Sequence, residues 1–349
     1  MQPLNVALVG YGYAGKTFHA PLIAATPELR LAAVVSSRPD AVRADWPQAS
    51  VLAGLEQALA DPAIDMVVIA SPNSLHYPQA RASLLAGKHV VVDKPFTVTQ
   101  AEARELCRMA ERPGSPLLSV FHNRRWDADF LALKDLLGSG ELGALSHFES
   151  HFDRYRPQVR ARWRELDQPG AGLWYDLGPH LIDQALQLLG WPQTIYASLS
   201  KQRVGAQAAD YFHVQLAYAG HQAVLHASCL VSGGAPRFSL HGSLASYVKF
   251  GLDGQEDYLK RNGRPGEEGW GVDLAPGVLY RQRDDEEFRE SRPAPLGDYR
   301  EYYRAAARAA RGLGANPVTA REAWRVMALL ELGERSAREG RRLFCLPLA

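Results

Sequence analysis

Cysteine is scarce: only Cys107, Cys229 and Cys345 occur in 349 residues, far apart in the chain. They show neither a C-x-x-C pair nor Cys/His ligand spacing, so buried structural thiols are expected and a metal site is not. No apolar run approaches the length of a membrane span. No basic segment with a removable apolar stretch precedes the first strand-like run, so no signal peptide is read there and a cytoplasmic location is expected. Excess charge is missing as well. Lys and Arg number 39 against 38 Asp and Glu, which leaves no overall field to attract nucleic acid. Arginine clusters only locally, at Arg124-Arg125 and between Arg154 and Arg164.

What is present is a large store of core-forming residues, with 46% hydrophobic and 22% charged positions. The length exceeds what one core usually supports, so two domains are expected. From residue 4 to about 122, short β-branched runs (NVALVG, LAAVVS, MVVIAS, HVVVD, LLSVFH) alternate with longer amphipathic segments such as AEARELCRMAER. That rhythm predicts an N-terminal Rossmann domain over 1–123, a doubly wound parallel sheet covered on both faces. After residue 123 a helix ending at glycine is followed by alternating runs in LSHFESHFD, TIYASLSK, YFHVQLAYAG, QAVLHASCLV and RFSLHGS. These predict an α+β domain over 124–349 with a largely antiparallel open sheet. Residues 252–297 read as a long irregular excursion whose Tyr258, Trp270 and Tyr280 suit a lid over a ligand. Two closing helices are expected near 298–312 and 320–339, with room to pack back on the first domain.

At the first strand-to-helix junction, LNVALVGYGYAGKT satisfies two patterns at once. Gly10, Gly12 and Gly15 spell the dinucleotide fingerprint G-x-G-x-x-G, with Tyr13 and Ala14 inside the turn. Gly10 with Gly15, Lys16 and Thr17 spells the phosphate-loop pattern of a nucleotide triphosphatase. Either way, glycine removes side chains where backbone must approach phosphate, and the helix end offers unpaired N–H groups. Gly12 has no task in a phosphate loop, which favours the dinucleotide.

The second run ends in Ser36-Ser37-Arg38, where an NAD site usually places an acid against the ribose 2′-hydroxyl. Hydroxyls and a guanidinium suit a 2′-phosphate instead, so NADP(H) is expected over NAD(H). The alternative is that Arg38 is an ordinary loop residue and Asp40 supplies the acid. At the next strand end, Ser71, Pro72, Asn73 and His76 are candidates for the nicotinamide side, although Asn73 equally suits a helix cap and His76 a structural role. Asp93-Lys94-Pro95-Phe96 closes the fourth run. From a strand's carboxyl edge Lys94 can aim its ammonium at a developing alkoxide, while as an isolated residue it would read as a surface cation. In WYDLGPHLID, Pro179 suits the first turn of a helix, which places His180 near a positive dipole end with Asp176 to orient it as a general base. A helix-capping Asp176 and a structural His180 are the plain alternative. Asn123, Arg125, Asp153, Arg154, Tyr155 and Arg164 are candidates for a substrate pocket because they flank the region that must face the cofactor; ordinary surface charge is the plain alternative.

The fingerprint, SPNSLH, DKPF and D-L-G-P-H in this order resemble the glucose–fructose oxidoreductase/inositol dehydrogenase (Gfo/Idh/MocA) family, and PVTAREAWRVMALLELGERSAREG is similar to that family's closing helix. GYAGKTFHAPLI and FHNRRWD look most like its NADP-dependent scyllo-inositol dehydrogenase branch. The resemblance implies Lys94, Asp176 and His180 as catalytic residues and hydride transfer with a cyclic polyol or sugar, while the balanced charge and short apolar runs point to no nucleic-acid or membrane partner. One departure is Asp93, where many members carry glutamate; the shorter side chain reaches less far toward a cofactor. A broad sheet with one uncovered face further predicts a homodimer or homotetramer. A non-catalytic NADP-binding regulator on the same scaffold is the rival reading.

Overall fold

The computed structural model describes residues 2–348, and the chain divides into two compact units. One takes the residues up to Trp126 with Gly254–Gly271 and Asp298–Trp324; the other takes Asp127–Asp253, Val272–Gly297 and the residues from Arg325 onward. Along the sequence the chain passes between the two units several times.

The first unit is built on β1 (Leu4–Val9), β2 (Leu29–Val35), β3 (Ser50–Leu52), β4 (Met66–Ile69), β5 (His89–Val92) and β6 (Leu118–Val120). All pair in parallel in the order β3-β2-β1-β4-β5-β6, the dinucleotide-binding order whose crevice opens beyond the carboxyl end of β1. Their continuous apolar runs follow from this, because helices cover both faces and Val6, Leu8, Val68 and Val91 are fully buried. Helix Arg300–Ala310 adds Tyr302 and Tyr303, whose rings lie 5.0 and 5.6 Å from Phe121. Trp270 is buried here against Tyr258 and Tyr299 and donates to Asp298 at 3.1 Å. It anchors this core, so the lid expectation loses its principal aromatic.

The second unit carries nine strands: β7 (Leu145–His151), β8 (Thr194–Ser200), β9 (Tyr211–Ala217), β10 (Gln222–Ser228), β11 (Phe238–Gly242), β12 (Ser246–Lys249), β13 (Gly277–Arg283), β14 (Glu286–Arg292) and β15 (Leu343–Phe344). Their order is β14-β13-β12-β11-β7-β10-β9-β8-β15, antiparallel throughout except β7 with β10. Alternation sorts the faces: Phe212, Val214 and Leu216 are buried while His213 and Gln215 turn the other way. Helix Gly172–Leu189 covers the buried face, with Trp174 4.9 Å from Phe212. Much of the expected excursion is the β13–β14 hairpin. Its turn is made by Asp284 and Asp285, both at positive φ.

Candidate functional site

Gly10 follows β1 at φ +96°, and a Cβ there would meet Ala70 O at 2.7 Å. A Cβ on Gly15 would collide with the Gly10 carbonyl oxygen, whereas one on Gly12 would meet nothing within 4 Å. The outer two glycines therefore let the backbone fold against itself, and the middle one faces open space, as a pyrophosphate cradle requires. Lys16 is committed elsewhere: its Nζ pairs with Asp45 Oδ2 at 2.8 Å, and the Tyr11 hydroxyl donates to the same oxygen at 2.8 Å. Tyr13 is exposed and Ala14 half-buried along the same turn.

Beside the glycines lies an open cleft of about 240 Å³ whose lining includes Gly10, Gly12, Ser36, Ser37, Arg38 and Ser71, and no carboxylate. Arg38 donates from Nη2 to the Tyr11 carbonyl, and its N–H donates to Ser36 Oγ at 3.0 Å. Asp40 is not part of this lining; its side chain is 95% exposed and pairs with Arg43 at 3.1 Å.

Ser71 Oγ donates to Gln79 Oε1 at 2.7 Å, Pro72 precedes helix Asn73–Leu85, and Asn73 is buried at its start. His76 is buried with Nδ1 2.8 Å from Pro95 O and Nε2 3.0 Å from Ser71 O. Both ring nitrogens face main-chain carbonyls; the neutral ring donates its one N–H to Pro95 O or to Ser71 O and packs between the two strand-end loops. Burial is the main influence on its imidazole and lowers its pKa.

Beyond β5, Asp93 is buried and accepts the Lys94 N–H at 2.8 Å, while Lys94 itself is half-buried. Burial alone would raise the Asp93 carboxyl. Contact with His19 outweighs it, helped by the Lys94 and His76 charges, and holds the carboxyl down at about 2. His19 Nε2 lies 3.7 Å from Asp93 Oδ1, and its Nδ1 lies 2.6 Å from the Tyr303 hydroxyl. This buried Tyr303–His19–Asp93 chain was not read from the sequence: its members stand at 303, 19 and 93 and meet only in the fold. Asn123 is buried, and Arg125 bonds Glu322 Oε1 at 2.8 Å and Pro317 O at 3.2 Å, which commits its guanidinium to the returning segment.

In the second unit, helix Gly172–Leu189 starts after Ala171, with Gly172 at φ +82°. Pro179 therefore lies inside the helix and His180 in its third turn. This corrects the first-turn placement, and the dipole argument for His180 falls with it. Spacing i, i+4 sets Asp176 and His180 on one helical face. His180 is buried, with the Phe152 ring 6.2 Å away. A close approach fixes the helix: a Cβ on Gly178 would stand 2.7 Å from Trp174, whose indole N–H donates to Leu330 O at 3.0 Å.

Two guanidiniums flank Asp176: Arg154 Nη2 at 3.5 Å from Oδ2 and Arg164 Nε at 3.8 Å from Oδ1. The loop bearing them is pinned by buried Arg203, which bonds Asp210 at 2.8 Å, Glu165 at 2.6 Å and the carbonyls of Arg156 and Gln158. Tyr155 is exposed, bridged through its backbone to Leu230. Asp153 joins none of these; its carboxylate accepts the Ser228 N–H at 2.9 Å and approaches His151 and His226. The arrangement offers an imidazole and a carboxylate on one helix face with cations beside the carboxylate, a set able to move a hydroxyl proton.

The chain matches the oxidoreductase family's NAD-binding Rossmann fold over residues 4–122 and its C-terminal alpha/beta domain over residues 134–345. It is 52% identical over 343 residues to an uncharacterized oxidoreductase, YdgJ, of Escherichia coli, covering 98% of this chain and 99% of that one. It is 40% identical over 342 residues to scyllo-inositol 2-dehydrogenase (NADP(+)) IolW of Bacillus subtilis, covering 97% and 95%. The solved structure of a putative oxidoreductase from Yersinia pestis, 48% identical, matches with a TM-score of 0.95 over 100% of this chain and 99% of its own. No helix among the described residues is long and apolar enough to cross a membrane. With its NAD(P)-binding Rossmann domain and its second mixed sheet, the chain belongs to the Gfo/Idh/MocA family of oxidoreductases and is a dehydrogenase acting on CH–OH donors.

Proposed function

We propose that this dehydrogenase uses NADP(H) and oxidises a secondary alcohol of a cyclic polyol or sugar of the inositol type. The observation that carries the cofactor choice is the lining beyond β2, where Ser36, Ser37 and Arg38 stand and no carboxylate does. A 2′-phosphate gains charge-assisted hydrogen bonds there, and a 2′-hydroxyl finds no carboxylate to accept its hydrogen bond. The whole-length likeness to a scyllo-inositol dehydrogenase supports the substrate class.

In this reading Gly10, Gly12, Tyr13, Ala14 and Gly15 hold the pyrophosphate, and Ser71, Pro72, Asn73 and Asp93 flank the nicotinamide side. His180 takes the hydroxyl proton, Asp176 orients it, and Lys94 stabilises the oxygen that develops charge. The bound nicotinamide supplies the hydride acceptor. Arg154, Tyr155 and Arg164 offer contacts to the substrate's other hydroxyls, and Asn123 lies buried beyond β6. The protein acts as a homodimer or homotetramer through the polar face of its nine-stranded sheet.

Calorimetric titration with NADPH and NADH tests the cofactor assignment. At least about tenfold tighter NADPH binding is expected, roughly 1.4 kcal/mol, with the preference lost in Arg38→Ala. Equal affinities in the unaltered protein would refute it.

A further inference from the structure

The face of the nine-stranded sheet turned away from helix Gly172–Leu189 carries a row of imidazoles. Ser150 and Phe152 point toward that helix: Ser150 bonds Arg237, which bonds Gln184 of the helix, and Phe152 lies against His180. Alternation then sends Glu149, His151 and Asp153 to the other face. In register His151 on β7 stands beside His226 on β10, and His226 opposite His213 on β9. Ring centroids are 5.0 Å apart for His151 and His226, and 5.6 Å for His226 and His213.

We propose that His151, Asp153 and His226 form a divalent transition-metal site, for Zn²⁺ or a neighbouring borderline cation, on this face of the sheet. One ligand atom from each of the three lies within 4.8 Å of the others. Asp153 Oδ2 is 3.1 Å from His151 Nδ1, and Asp153 Oδ1 is 3.3 Å from His226 Nε2. Ligands about 2.0–2.1 Å from a tetrahedral ion stand roughly 3.3–3.4 Å from one another; the His226 gap has that length, while the His151 gap runs to the other carboxylate oxygen at hydrogen-bond length and must open slightly to admit an ion. Two imidazoles with one carboxylate favour zinc, cobalt or nickel over calcium or magnesium, and three protein ligands leave a position open.

The surroundings are those of a supported site. Glu149 Oε2 lies 3.1 Å from His151 Nε2, and Glu149 Oε1 lies 2.8 Å from His147, so the nitrogen of His151 turned from Asp153 is held by a carboxylate, the usual outer partner of a ligating imidazole. The Ser228 N–H fixes Asp153, and the Phe152 N–H fixes the backbone of His226 through its carbonyl at 2.9 Å. His226 Nδ1, the nitrogen turned from Asp153, is buried without a hydrogen-bond partner, so this ring lacks the outer carboxylate that His151 has. The composition gave no sign of this because the ligands come from separate strands and meet only through register.

The test is equilibrium dialysis of the full-length, chelator-treated protein against Zn²⁺ with elemental analysis, and Co²⁺ titration followed by visible absorption. About one equivalent per chain should bind at roughly micromolar free Zn²⁺, and Co²⁺ should give the d–d bands of a four- or five-coordinate site. His226→Ala and Asp153→Asn should each weaken binding by about tenfold or more, while His241→Ala, on the same face but outside the triad, should not. Circular dichroism identifies any variant that fails to fold, for which His151→Gln substitutes. Substoichiometric zinc in the unaltered protein, or folded triad variants that bind as it does, would overturn the proposal.

Discussion

The glycine turn separates cofactor binding from folding, and two substitutions three residues apart should show it. A Cβ at Gly12 meets no protein atom within 4 Å and the position faces open space, so Gly12→Val should change stability by no more than about 0.5 kcal/mol. The same side chain fills the space reserved for the pyrophosphate and should weaken NADPH binding by at least about tenfold, roughly 1.4 kcal/mol. At Gly15 the added methyl collides with the Gly10 carbonyl, a backbone atom that cannot swing aside. Overpacking of that kind costs about 1–3 kcal/mol and is offset by up to about 1 kcal/mol of helix propensity. A net loss of about 1–2 kcal/mol in a unit of this size lowers Tm by roughly 2–8 °C. Thermal melts without cofactor, paired with NADPH fluorescence titrations, read both effects. The reasoning fails if Gly12→Val binds NADPH normally, or if Gly15→Ala melts with the unaltered protein.

Asp93 should make the first unit acid-sensitive. Its folded carboxyl sits at about 2, below the ordinary aspartate value, so the stabilisation is complete above that ordinary value and is lost as pH falls toward 2. Asp93→Asn should flatten the stability profile in that window, which urea melts from pH 5 to pH 2 would check. Light scattering at micromolar concentration should give the mass of a dimer or tetramer; a monomer would contradict pairing through the open sheet face.

The first sheet was legible because its strands are buried on both sides and read as continuous apolar runs; only β3, three residues long, was missed. The far edge of the second sheet was not. β14 is exposed at nearly every position, so its sequence, EEFRESR, carries no apolar alternation to read. Its turn uses two aspartates at positive φ instead of a glycine. The motifs around Lys94, Asp176 and His180 were legible as local strings, but their setting was not. Pro179 signals a helix start in isolation, and here the helix begins seven residues earlier at Gly172. His76, Arg125 and Asp153 were read by residue type, whereas their partners are backbone carbonyls, Glu322 and the His151–His226 pair, all set by tertiary packing.

The most direct test of the central claim is NADP⁺ reduction across a panel of inositol isomers and pyranoses, run with the unaltered protein, Lys94→Ala and His180→Ala. The account predicts turnover with at least one cyclic polyol or sugar, and a loss of roughly a hundredfold or more in each variant while NADPH affinity is retained. Near-normal turnover in His180→Ala between pH 6 and 9, or activity confined to NAD⁺, would contradict it.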